Sequence, residues 1–557
     1  MDEALFTVSA PENEPVLEYL PGSPEREALT RELSALGDEE LEIPLFIGGK
    51  EVRTGRLGTC VMPHEHGHVL ARYHQAGPEE LRQAVREARE GHAQWSRLPW
   101  PERVSAFLKA AELLAGPWRA KLNASTMLGV SKTVYQAEID AACELADFLR
   151  FNAHFVDRIY SEQPASMLGI WDRLDWRPLE GFVLAISPFN FTSIAANLPA
   201  APAMMGNTVL WKPASSAVYP AYWVMRLLQE AGVPPGVIQF VPGPGDALGQ
   251  EVVRHPELAG IHFTGSTSTF QSLWSTVGAN IAGYRTYPRL VGETGGKDFV
   301  VAHPSAHVES LVTALVRGAF EYQGQKCSAA SRAYIPASLW PTVRERLQDI
   351  VGSLRMGDPR DLTSFMAAVI DERAYRRIEG YLQLASASSE TELVVGGERD
   401  RSQGYFIRPA VVQSLDPHHR LMEEEIFGPV LTVYVYPDHA YTETLELCDQ
   451  TSPYALTGAV FAQERYAIHE AHRALRYAAG NFYVNDKPTG AMVNQQPFGG
   501  SRASGTNDKA GSLLNLLRWV SPRTIKETFV PPTDYRYAHM QPDSKTAGDP
   551  QRRLHAI

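Results

Sequence analysis

Cysteine is scarce in this chain of 557 residues. The four cysteines are far apart and form no C-x-x-C pair: Cys60, Cys143, Cys327 and Cys448. This spacing gives neither a zinc ligand set nor a disulfide framework. We therefore expect no metal site and a reducing compartment.

Long apolar runs and runs of basic residues are also missing. No uninterrupted apolar stretch approaches the roughly 20 residues that span a bilayer. The net charge is −12 and no Lys/Arg run suggests a nucleic-acid surface. The acidic N-terminus, Met1–Phe6, has neither a signal-peptide nor a transit-peptide pattern. We expect no membrane, no nucleic-acid partner and a cytoplasmic location, with the mitochondrial matrix as the alternative.

The length and the patterning favour an α/β protein of two or three domains. Short apolar runs alternate with helical patterns, as in the βαβ units of a parallel sheet. The runs are 182–186, 209–211, 237–241 and 261–263.

Three other segments are less regular. Residues 1–45 are polar and Pro/Glu-rich, and we expect an arm on the main body. A helical run at 137–152 carries four acids that we expect mostly on a solvated face: Glu138, Asp140, Glu144 and Asp147. Between 157 and 180 the helical pattern breaks, and we predict a hairpin or connector.

Ligands of parallel sheets bind beyond the carboxyl ends of the strands, and polar residues follow these runs. Asn190 follows the first and can donate to a developing oxyanion or cap a turn. Lys212 follows the second, where a nucleotide would lie, although a lone lysine is commonly only solvated. Gly265–Thr269 follows the fourth and can open a helix that suits a pyrophosphate. A plain strand-to-helix turn is the alternative, because the G-x-G-x-x-G pattern is incomplete.

Two residues further along suit covalent chemistry. Cys327 stands between Lys326 and Ser328, and a cation beside a thiol favours the reactive thiolate. A buried, inert cysteine is the alternative. Glu293, 34 positions earlier, lies among glycines and suits a mobile general base, with an ion pair to Lys297 as the alternative.

Together these motifs resemble the aldehyde dehydrogenase superfamily. Six motifs in the same order argue against a chance match: 187–191, 211–213, 263–266, 292–297, 324–327 and 425–429. From about residue 13 to 541 the chain is similar to the mitochondrial-type branch that oxidises glutamate γ-semialdehyde. The stretches that carry this are 13–17, 136–142, 325–329, 479–487 and 495–509.

The resemblance implies an α/β fold with three parts and NAD as the cofactor. It implies a Rossmann-type NAD-binding domain, an α/β catalytic domain and a small β flap that makes a homodimer or higher oligomer. The expected bounds are an N-terminal arm at 1–45, NAD-binding domain at 46–292 with an oligomerisation hairpin near 157–180, catalytic domain at 293–485, substrate anchor loop and return at 486–523, oligomerisation strand at 524–541 and disordered tail at 542–557.

The resemblance also implies roles for single residues. Cys327 would attack the aldehyde, Asn190 would hold the oxyanion, and Glu293 would activate the hydrolytic water. The implied cofactor contacts are Ser187, Lys212, Gly265, Ser266, Thr267, Ser268, Thr269, Glu425 and Phe427. The implied substrate contacts are Glu144 for the ammonium, Gly490 and Ala491 for the carboxylate with Ser328 nearby, and Phe498 for the aliphatic stem. Lys326 would point away from the thiol, into the chain packing or the substrate pocket.

Three positions depart from the pattern of the superfamily. Ser215 stands where many NAD-preferring members have Glu, and Phe270 replaces a common glycine. Ala491 stands where the mitochondrial type has Ser, which removes one side-chain hydrogen bond. Two alternatives follow: an enzyme for another small aldehyde, or a non-catalytic relative. The intact Cys327, Glu293 and Asn190 argue against the second.

Overall fold

The structure, a computed structural model, describes residues 6–245 and 248–540. The predicted tail at 542–557 and the first five residues of the arm lie outside the described residues. The α-helices in chain order are α1 (Pro24–Gly37), α2 (Pro78–Trp95), α3 (Trp100–Ala115), α4 (Arg119–Val130), α5 (Val134–Ala137), α6 (Leu145–Ser161), α7 (Thr192–Met204), α8 (Val218–Ala231), α9 (Thr267–Ala279), α10 (Val308–Phe320), α11 (Trp340–Ser353), α12 (Glu372–Ala387), α13 (Arg420–Glu423), α14 (Tyr441–Gln450), α15 (Arg465–Ala474) and α16 (Leu513–Leu516).

The strands include both short edge pieces and long central ones. In chain order they are β1 (Leu41–Ile43), β2 (Leu45–Ile47), β3 (Lys50–Val52), β4 (Leu57–Met62), β5 (Glu65–His74), β6 (Ile170–Pro178), β7 (Phe182–Ile186), β8 (Thr208–Lys212), β9 (Ile238–Phe240), β10 (Leu258–Thr264), β11 (Arg289–Glu293), β12 (Asp298–Ala302), β13 (Ala330–Pro336), β14 (Thr391–Gly396), β15 (Arg399–Asp400), β16 (Phe406–Ile407), β17 (Ala410–Ser414), β18 (Val430–Tyr436), β19 (Tyr454–Ala455), β20 (Thr457–Phe461), β21 (Asn481–Val484), β22 (Ser501–Arg502) and β23 (Val520–Thr528).

The first large sheet, called sheet 1, has the strand order β11-β10-β7-β8-β9-β2-β3. Its five strands from β11 to β9 run parallel, and β2 and β3 add an antiparallel edge. The residues of β7 and β8 are buried except at their carboxyl ends, Ile186 and Lys212. Such strands need helices on both faces of the sheet. The predicted parallel α/β architecture is confirmed.

The second large sheet, called sheet 2, has the order β14-β17-β18-β13-β12-β20-β21. It is parallel except for β14, which pairs antiparallel with β17. The chain crosses from sheet 1 to sheet 2 between Glu293, the last residue of β11, and Asp298, the first of β12. Glu293, which we had assigned to the catalytic domain, is thus held by sheet 1.

The segment near 157–180, predicted as a hairpin or connector, does not pair with itself. Helix α6 continues to Ser161, and β6 then pairs antiparallel with β23 over nine residues, from Ile170–Thr528 to Pro178–Val520. The predicted strand at 524–541 therefore begins at Val520 and ends at Thr528. Pro522 lies within it, which a strand of a two-stranded sheet tolerates because its missing N–H can face away from the partner.

The N-terminal arm contains a helix that we did not predict. Ser23 caps α1 by accepting a hydrogen bond from the Arg26 N–H at 3.4 Å, and Pro24 follows in the first turn, where proline is tolerated. Before α1, the arm lies against the acidic segment: Leu17 N–H and the Tyr19 hydroxyl donate to Glu138 at 2.8 and 2.7 Å.

The solvated face predicted for the acids of 137–152 is wrong. Glu138, Asp140 and Asp147 are 0%, 1% and 3% exposed. Residues Glu138–Glu144 form a wider π-helical turn between α5 and α6. Asp140 pairs with Lys132 at 2.7 Å, and Arg119 pairs with Glu138, so two of these three acids are neutralised internally. Buried charges need such partners, and these come from other parts of the chain.

Candidate active site

Cys327 follows a tight turn that precedes strand β13 of sheet 2. In the turn Glu321–Gly324, Tyr322 and Gln323 have φ of 51° and 58°, in the left-handed region. The side chain of Gln323 holds this strained turn by donating to the carbonyls of Ser131 and Ala368 at 3.1 and 2.7 Å. The turn thus presents Cys327, 8% exposed, just before β13.

The Cys327 thiol is not activated by the lysine beside it. Lys326 pairs with Glu321 at 3.3 Å. Burial raises the pKa of the Cys327 thiol well above its ordinary value, and ionised neighbours, led by Asp298 and followed by Glu293, would raise it further. The resting group is therefore a thiol, and a base must remove its proton before it can attack.

Asn190 lies beside this thiol at the carboxyl end of β7. Its side-chain amide donates to the Gln325 carbonyl at 3.0 Å, and its side chain is buried. That bond uses one of the two amide hydrogens. The other is available to an oxygen that develops charge near Cys327.

Glu293 reaches the same space from the end of β11. Its Oε1 accepts the Gly500 N–H at 3.3 Å, while Oε2 is buried without a partner in the described part of the chain. Burial raises the pKa of Glu293 well above the ordinary carboxyl value. No ion pair joins it to Lys297 within residues 6–245 and 248–540, because the Lys297 ammonium is buried without a hydrogen-bond partner there. An ionised Glu293 is therefore a strong base.

A cleft of about 520 Å³ opens beyond the carboxyl ends of sheet 1. Seven of the nine predicted cofactor residues line it together with Cys327 and Asn190: Ser187, Lys212, Gly265, Ser266, Thr269, Glu425 and Phe427. The other two do not line it, because the Thr267 hydroxyl donates to the Ala503 carbonyl at 3.4 Å and the Ser268 hydroxyl bonds that of Ser266 at 3.3 Å.

The residues of this cleft suit a dinucleotide. Helix α9 begins at Thr267 after its cap Ser266, so the free N–H groups of its first turn are available to phosphate. Burial lowers the pKa of the Lys212 ammonium. Glu425 accepts the Gly296 N–H at 3.0 Å, which holds it between the two sheets at the edge of the cleft.

A second cavity has a volume of about 120 Å³, and Cys327 lines both this cavity and the cleft. Glu293 and all six predicted substrate residues line it: Glu144, Lys326, Ser328, Gly490, Ala491 and Phe498. Ser328 and Thr489 share a hydrogen bond at 2.8 Å. Two hydroxyls and nearby backbone N–H groups are the kind of donors that a carboxylate needs.

Glu144 is one of three acidic residues that line this cavity, together with Glu293 and Asp508. It accepts a hydrogen bond from Ser193 at 2.8 Å. Burial raises the pKa of Glu144 to about 8, and the neighbouring Asp140 acts in the same direction. A bound cation would stabilise the ionised form.

The comparison with known proteins identifies this arrangement. The model of the aldehyde dehydrogenase family matches residues 53–525. The chain belongs to the aldehyde dehydrogenase family. The predicted superfamily and its fold are thereby confirmed.

Individual proteins show a more specific similarity than the family model does. The mitochondrial delta-1-pyrroline-5-carboxylate dehydrogenase of Dictyostelium discoideum is 54% identical over 540 residues, which are 96% of this chain and 97% of that protein. The human protein of the same name is 50% identical over 530 residues, or 95% and 94% of the two chains. The NAD-bound crystal structure of Delta-pyrroline-5-carboxylate dehydrogenase from Mycobacterium tuberculosis superposes with a TM-score of 0.94 at 54% identity, over 97% of this chain and 100% of that one.

The departure at Phe270 has a local explanation. The Phe270 ring stacks on Phe263 with centroids 5.4 Å apart. A Cβ at Gly292 would lie 2.3 Å from Cζ of Phe270. The bulky ring at 270 is thus accommodated because position 292 has no side chain, a compensation between residues 22 positions apart.

Three contributing residues were missed from the sequence. Thr489 directly precedes the predicted pair Gly490 and Ala491, and a hydroxyl next to predicted donors was a usable signal. Ser193 and Asp298 gave no such signal, because their contacts with Glu144 and Thr457 join distant parts of the chain.

No helix in the described ranges is long and apolar enough to cross a bilayer.

Proposed function

We propose that this chain oxidises L-glutamate γ-semialdehyde, the open form of 1-pyrroline-5-carboxylate, to L-glutamate with NAD, as the second step of proline breakdown. One observation carries the proposal: a single cavity is lined by the Cys327 thiol, the Glu144 carboxyl and the hydroxyls of Ser328 and Thr489. The semialdehyde has three groups that match these side chains: an aldehyde for the thiol, an ammonium for the Glu144 carboxyl and a carboxylate for the two hydroxyls. The names of the relatives support the same substrate.

Cys327 is the nucleophile, and two N–H groups next to it donate hydrogen bonds to the oxyanion that its attack creates. The Cys327 thiol first loses its proton to solvent water. The thiolate sulfur then attacks the carbonyl carbon, a C–S bond forms, and the carbonyl electron pair moves to oxygen. The free amide hydrogen of Asn190 and the Cys327 backbone N–H donate to that oxygen, which stabilises the transition state where the charge develops. Lys326 takes no part in activating the sulfur, because it is paired with Glu321.

NAD, when bound in the cleft, supplies the acceptor for the hydride that leaves the tetrahedral carbon, so that a thioester remains on Cys327. Lys212, Glu425 and Ser187 would hold its ribose groups, and Gly265, Ser266 and Thr269 its pyrophosphate. Ser215 at the edge of the cleft places no carboxylate opposite a ribose, so the preference for NAD over NADP rests on the other contacts.

Glu293 completes the reaction as a base. It removes a proton from water, whose oxygen adds to the thioester carbon, and collapse of the adduct breaks the C–S bond and releases glutamate. The Oε2 atom of Glu293 is buried without a hydrogen-bond partner in the described part of the chain, so a carboxylate there is poorly solvated and basic. The Gly500 N–H contact at 3.3 Å is weak enough to release it.

The decisive experiment measures NADH formation from glutamate semialdehyde and from propionaldehyde, with NADP run in parallel. We expect kcat/KM for the semialdehyde to exceed that for the alkyl aldehyde at least tenfold, and NAD to be preferred. Equal values of kcat/KM for the two aldehydes would contradict the proposed substrate. They would indicate a dehydrogenase for small aldehydes in general, which Ala491 permits.

We propose further that the chain forms a homodimer or higher oligomer through a flap made of β6 and β23. Apolar side chains are exposed there: Met167 at 57%, Leu168 at 92%, Trp171 at 50% and Phe529 at 61%. A two-stranded sheet is marginal by itself and gains from a partner. Light scattering on the protein and on a Leu168→Asp, Trp171→Asp double variant tests this, and an unchanged oligomer in the variant would exclude the flap.

We assign the reaction to a reducing compartment, the cytoplasm or the mitochondrial matrix. The four cysteines are unpaired and buried, which suits either. Fractionation of the source cells followed by activity measurement distinguishes the two.

A further inference from the structure

Asp298, the first residue of β12, has a carboxyl that the proposed mechanism does not use. Its side chain is 2% exposed. Oδ1 accepts the Thr457 N–H at 2.7 Å, which ties it to the neighbouring strand β20. Oδ2 is buried and has no hydrogen-bond partner in the described part of the chain. An unpartnered oxygen of a buried carboxylate is costly, so this atom needs an explanation.

The Oδ2 atom faces the backbone of the nucleophile. A Cβ built on Gly296 would lie 2.5 Å from Asp298 Oδ2 and 2.1 Å from the carbonyl oxygen of Cys327. The two oxygens therefore border the same small space, which is open only because residue 296 is glycine. Two hydrogen-bond acceptors that face each other repel, whereas a proton on one of them makes the contact attractive.

The surrounding charges do not supply an ionic partner. Within residues 6–245 and 248–540, no lysine or arginine forms an ion pair with Asp298. The Arg332 guanidinium acts to lower the pKa of Asp298, but it donates its hydrogen bonds to the Lys297 carbonyl at 2.8 Å and to the Tyr334 hydroxyl at 3.0 Å. The other groups that interact electrostatically with Asp298 are Glu425, Lys297, Cys327 and Tyr483.

Burial is the main influence on the carboxyl. It raises the pKa of Asp298 well above the ordinary value, against the hydrogen bond from Thr457, and Glu425 acts in the same direction as burial. The geometry and this direction agree with each other: an enclosed acid with an acceptor in front of it is favoured in its neutral form.

We propose that Asp298 is protonated in the folded enzyme and that its Oδ2–H donates to the backbone carbonyl of Cys327. Asp298 is thus a positioning residue: it fixes the backbone that carries the nucleophile and adds no negative charge beside the sulfur. Neutrality matters because a carboxylate at this place would raise the pKa of the thiol further. The inference rests on the proposed role of Cys327 as the nucleophile.

The Asp298→Asn variant tests the protonation state without any aldehyde. An asparagine reproduces a protonated aspartate, since its Oδ1 can accept from Thr457 and its Nδ2 can donate to Cys327. The pKa of the Cys327 thiol is measured from the pH dependence of iodoacetamide alkylation, with Cys327→Ala as the background. We expect the same thiol pKa, within 0.3 units, in wild type and Asp298→Asn. A lower thiol pKa in the variant, with faster alkylation at neutral pH, would show that Asp298 is ionised and would overturn the proposal.

Turnover distinguishes positioning from charge. We expect Asp298→Ala to lower kcat at least tenfold with little change in the Kd for NAD, and Asp298→Asn to restore kcat to within threefold of wild type. An Asn variant as impaired as the Ala variant would mean that the carboxyl itself is needed, contrary to the proposal. Asp438→Asn, at an exposed loop where Oδ1 accepts the Ser338 N–H at 3.0 Å, is the matched control.

An infrared difference spectrum covers the case in which Asp298→Ala fails to fold. Wild type minus Asp298→Asn should show the C=O band of a protonated carboxyl at neutral pH. A carboxylate band in its place would overturn the proposal. Inactivity of wild type on glutamate semialdehyde would contradict the proposed substrate but would leave both the spectrum and the alkylation result interpretable.

Discussion

The side-chain amide of Asn190 donates a hydrogen bond to the backbone carbonyl of Gln325, two residues before the nucleophile, at 3.0 Å. This contact joins the loop after β7 of sheet 1 to the segment before β13 of sheet 2. It fixes the orientation of the amide, so that its second hydrogen remains for the oxyanion. The hydrogen-bond donor of Asn190 is thus already in position before the substrate binds.

Replacement of Asn190 should therefore reduce turnover strongly. We expect Asn190→Ala to lower kcat about 100- to 1000-fold, since loss of one oxyanion donor removes roughly 3 kcal/mol of transition-state stabilisation. Asn190→Asp keeps the shape but has no N–H, and should be equally impaired. Steady-state NADH formation measures both variants, with the Kd for NAD as the check on folding. A kcat within threefold of wild type in either variant would remove Asn190 from the reaction.

Glu293→Gln should separate the two halves of the reaction. Without the base, the thioester forms but hydrolyses slowly, so we expect a burst of up to one NADH per active site followed by turnover at least 100-fold slower than wild type. Stopped-flow absorbance at the NADH band measures the burst. Complete absence of the burst would show that Glu293 is also needed to take the proton from Cys327.

The pH dependence of wild type tests the same residue. Because the pKa of Glu293 is raised, its carboxylate is lost as the pH falls through a value above the ordinary carboxyl range. We therefore expect the thioester-hydrolysis rate to rise with pH through that value, and this limb to be missing in Glu293→Gln. A hydrolysis rate in wild type that does not change with pH would contradict the role as base.

The strands and the residues at their ends were predictable because each depends on local sequence. An apolar run such as Phe182–Ile186 indicates a buried parallel strand, and topology then places Asn190 and Lys212 at one edge. The burial of Glu138 and Asp140 was not predictable. Their partners, Tyr19 and Lys132, come from the arm and from the loop after α4, and a helical pattern carries no information about them.

Pairing between distant segments was the other gap. The β6 strand pairs with β23, about 350 positions later, so local sequence could indicate only a hairpin or a connector. The ion pair of Lys326 was not predictable for a similar reason. Lys326 stands next to Cys327 in the sequence, but its partner Glu321 is set by the strained turn between them.

Glu144→Gln should impair recognition of the semialdehyde more than chemistry. The amide keeps the Ser193 contact but loses the charge that faces the substrate ammonium. We expect KM for glutamate semialdehyde to rise at least tenfold, and kcat/KM for propionaldehyde, which has no ammonium, to change less than threefold. Steady-state kinetics with both aldehydes measures this. Ala491→Ser, which restores a side-chain donor in the same cavity, is the control and should lower KM. An equal loss with both aldehydes would place Glu144 outside substrate recognition.

Lys297 should weaken the folded protein in a pH-dependent way. Burial lowers the pKa of its ammonium to about 7, with Arg332 acting in the same direction. The unfolded chain keeps its ordinary lysine pKa of roughly 10.4 and so binds more protons than the folded chain between these values. The free energy of unfolding contributed by this group therefore rises with pH from about 7 to about 10, and the full penalty applies below 7.

Lys297→Met keeps a similar volume and removes the titrating group. We expect the variant to melt at a higher temperature than wild type at pH 6.5, and the difference in Tm to shrink towards pH 9.5. Differential scanning fluorimetry across this range measures it, with Lys50→Met at an exposed site as the control that should show no trend. A variant less stable than wild type at every pH would mean that the Lys297 ammonium has an ionic partner in the folded protein, because only a paired charge makes its removal destabilising throughout.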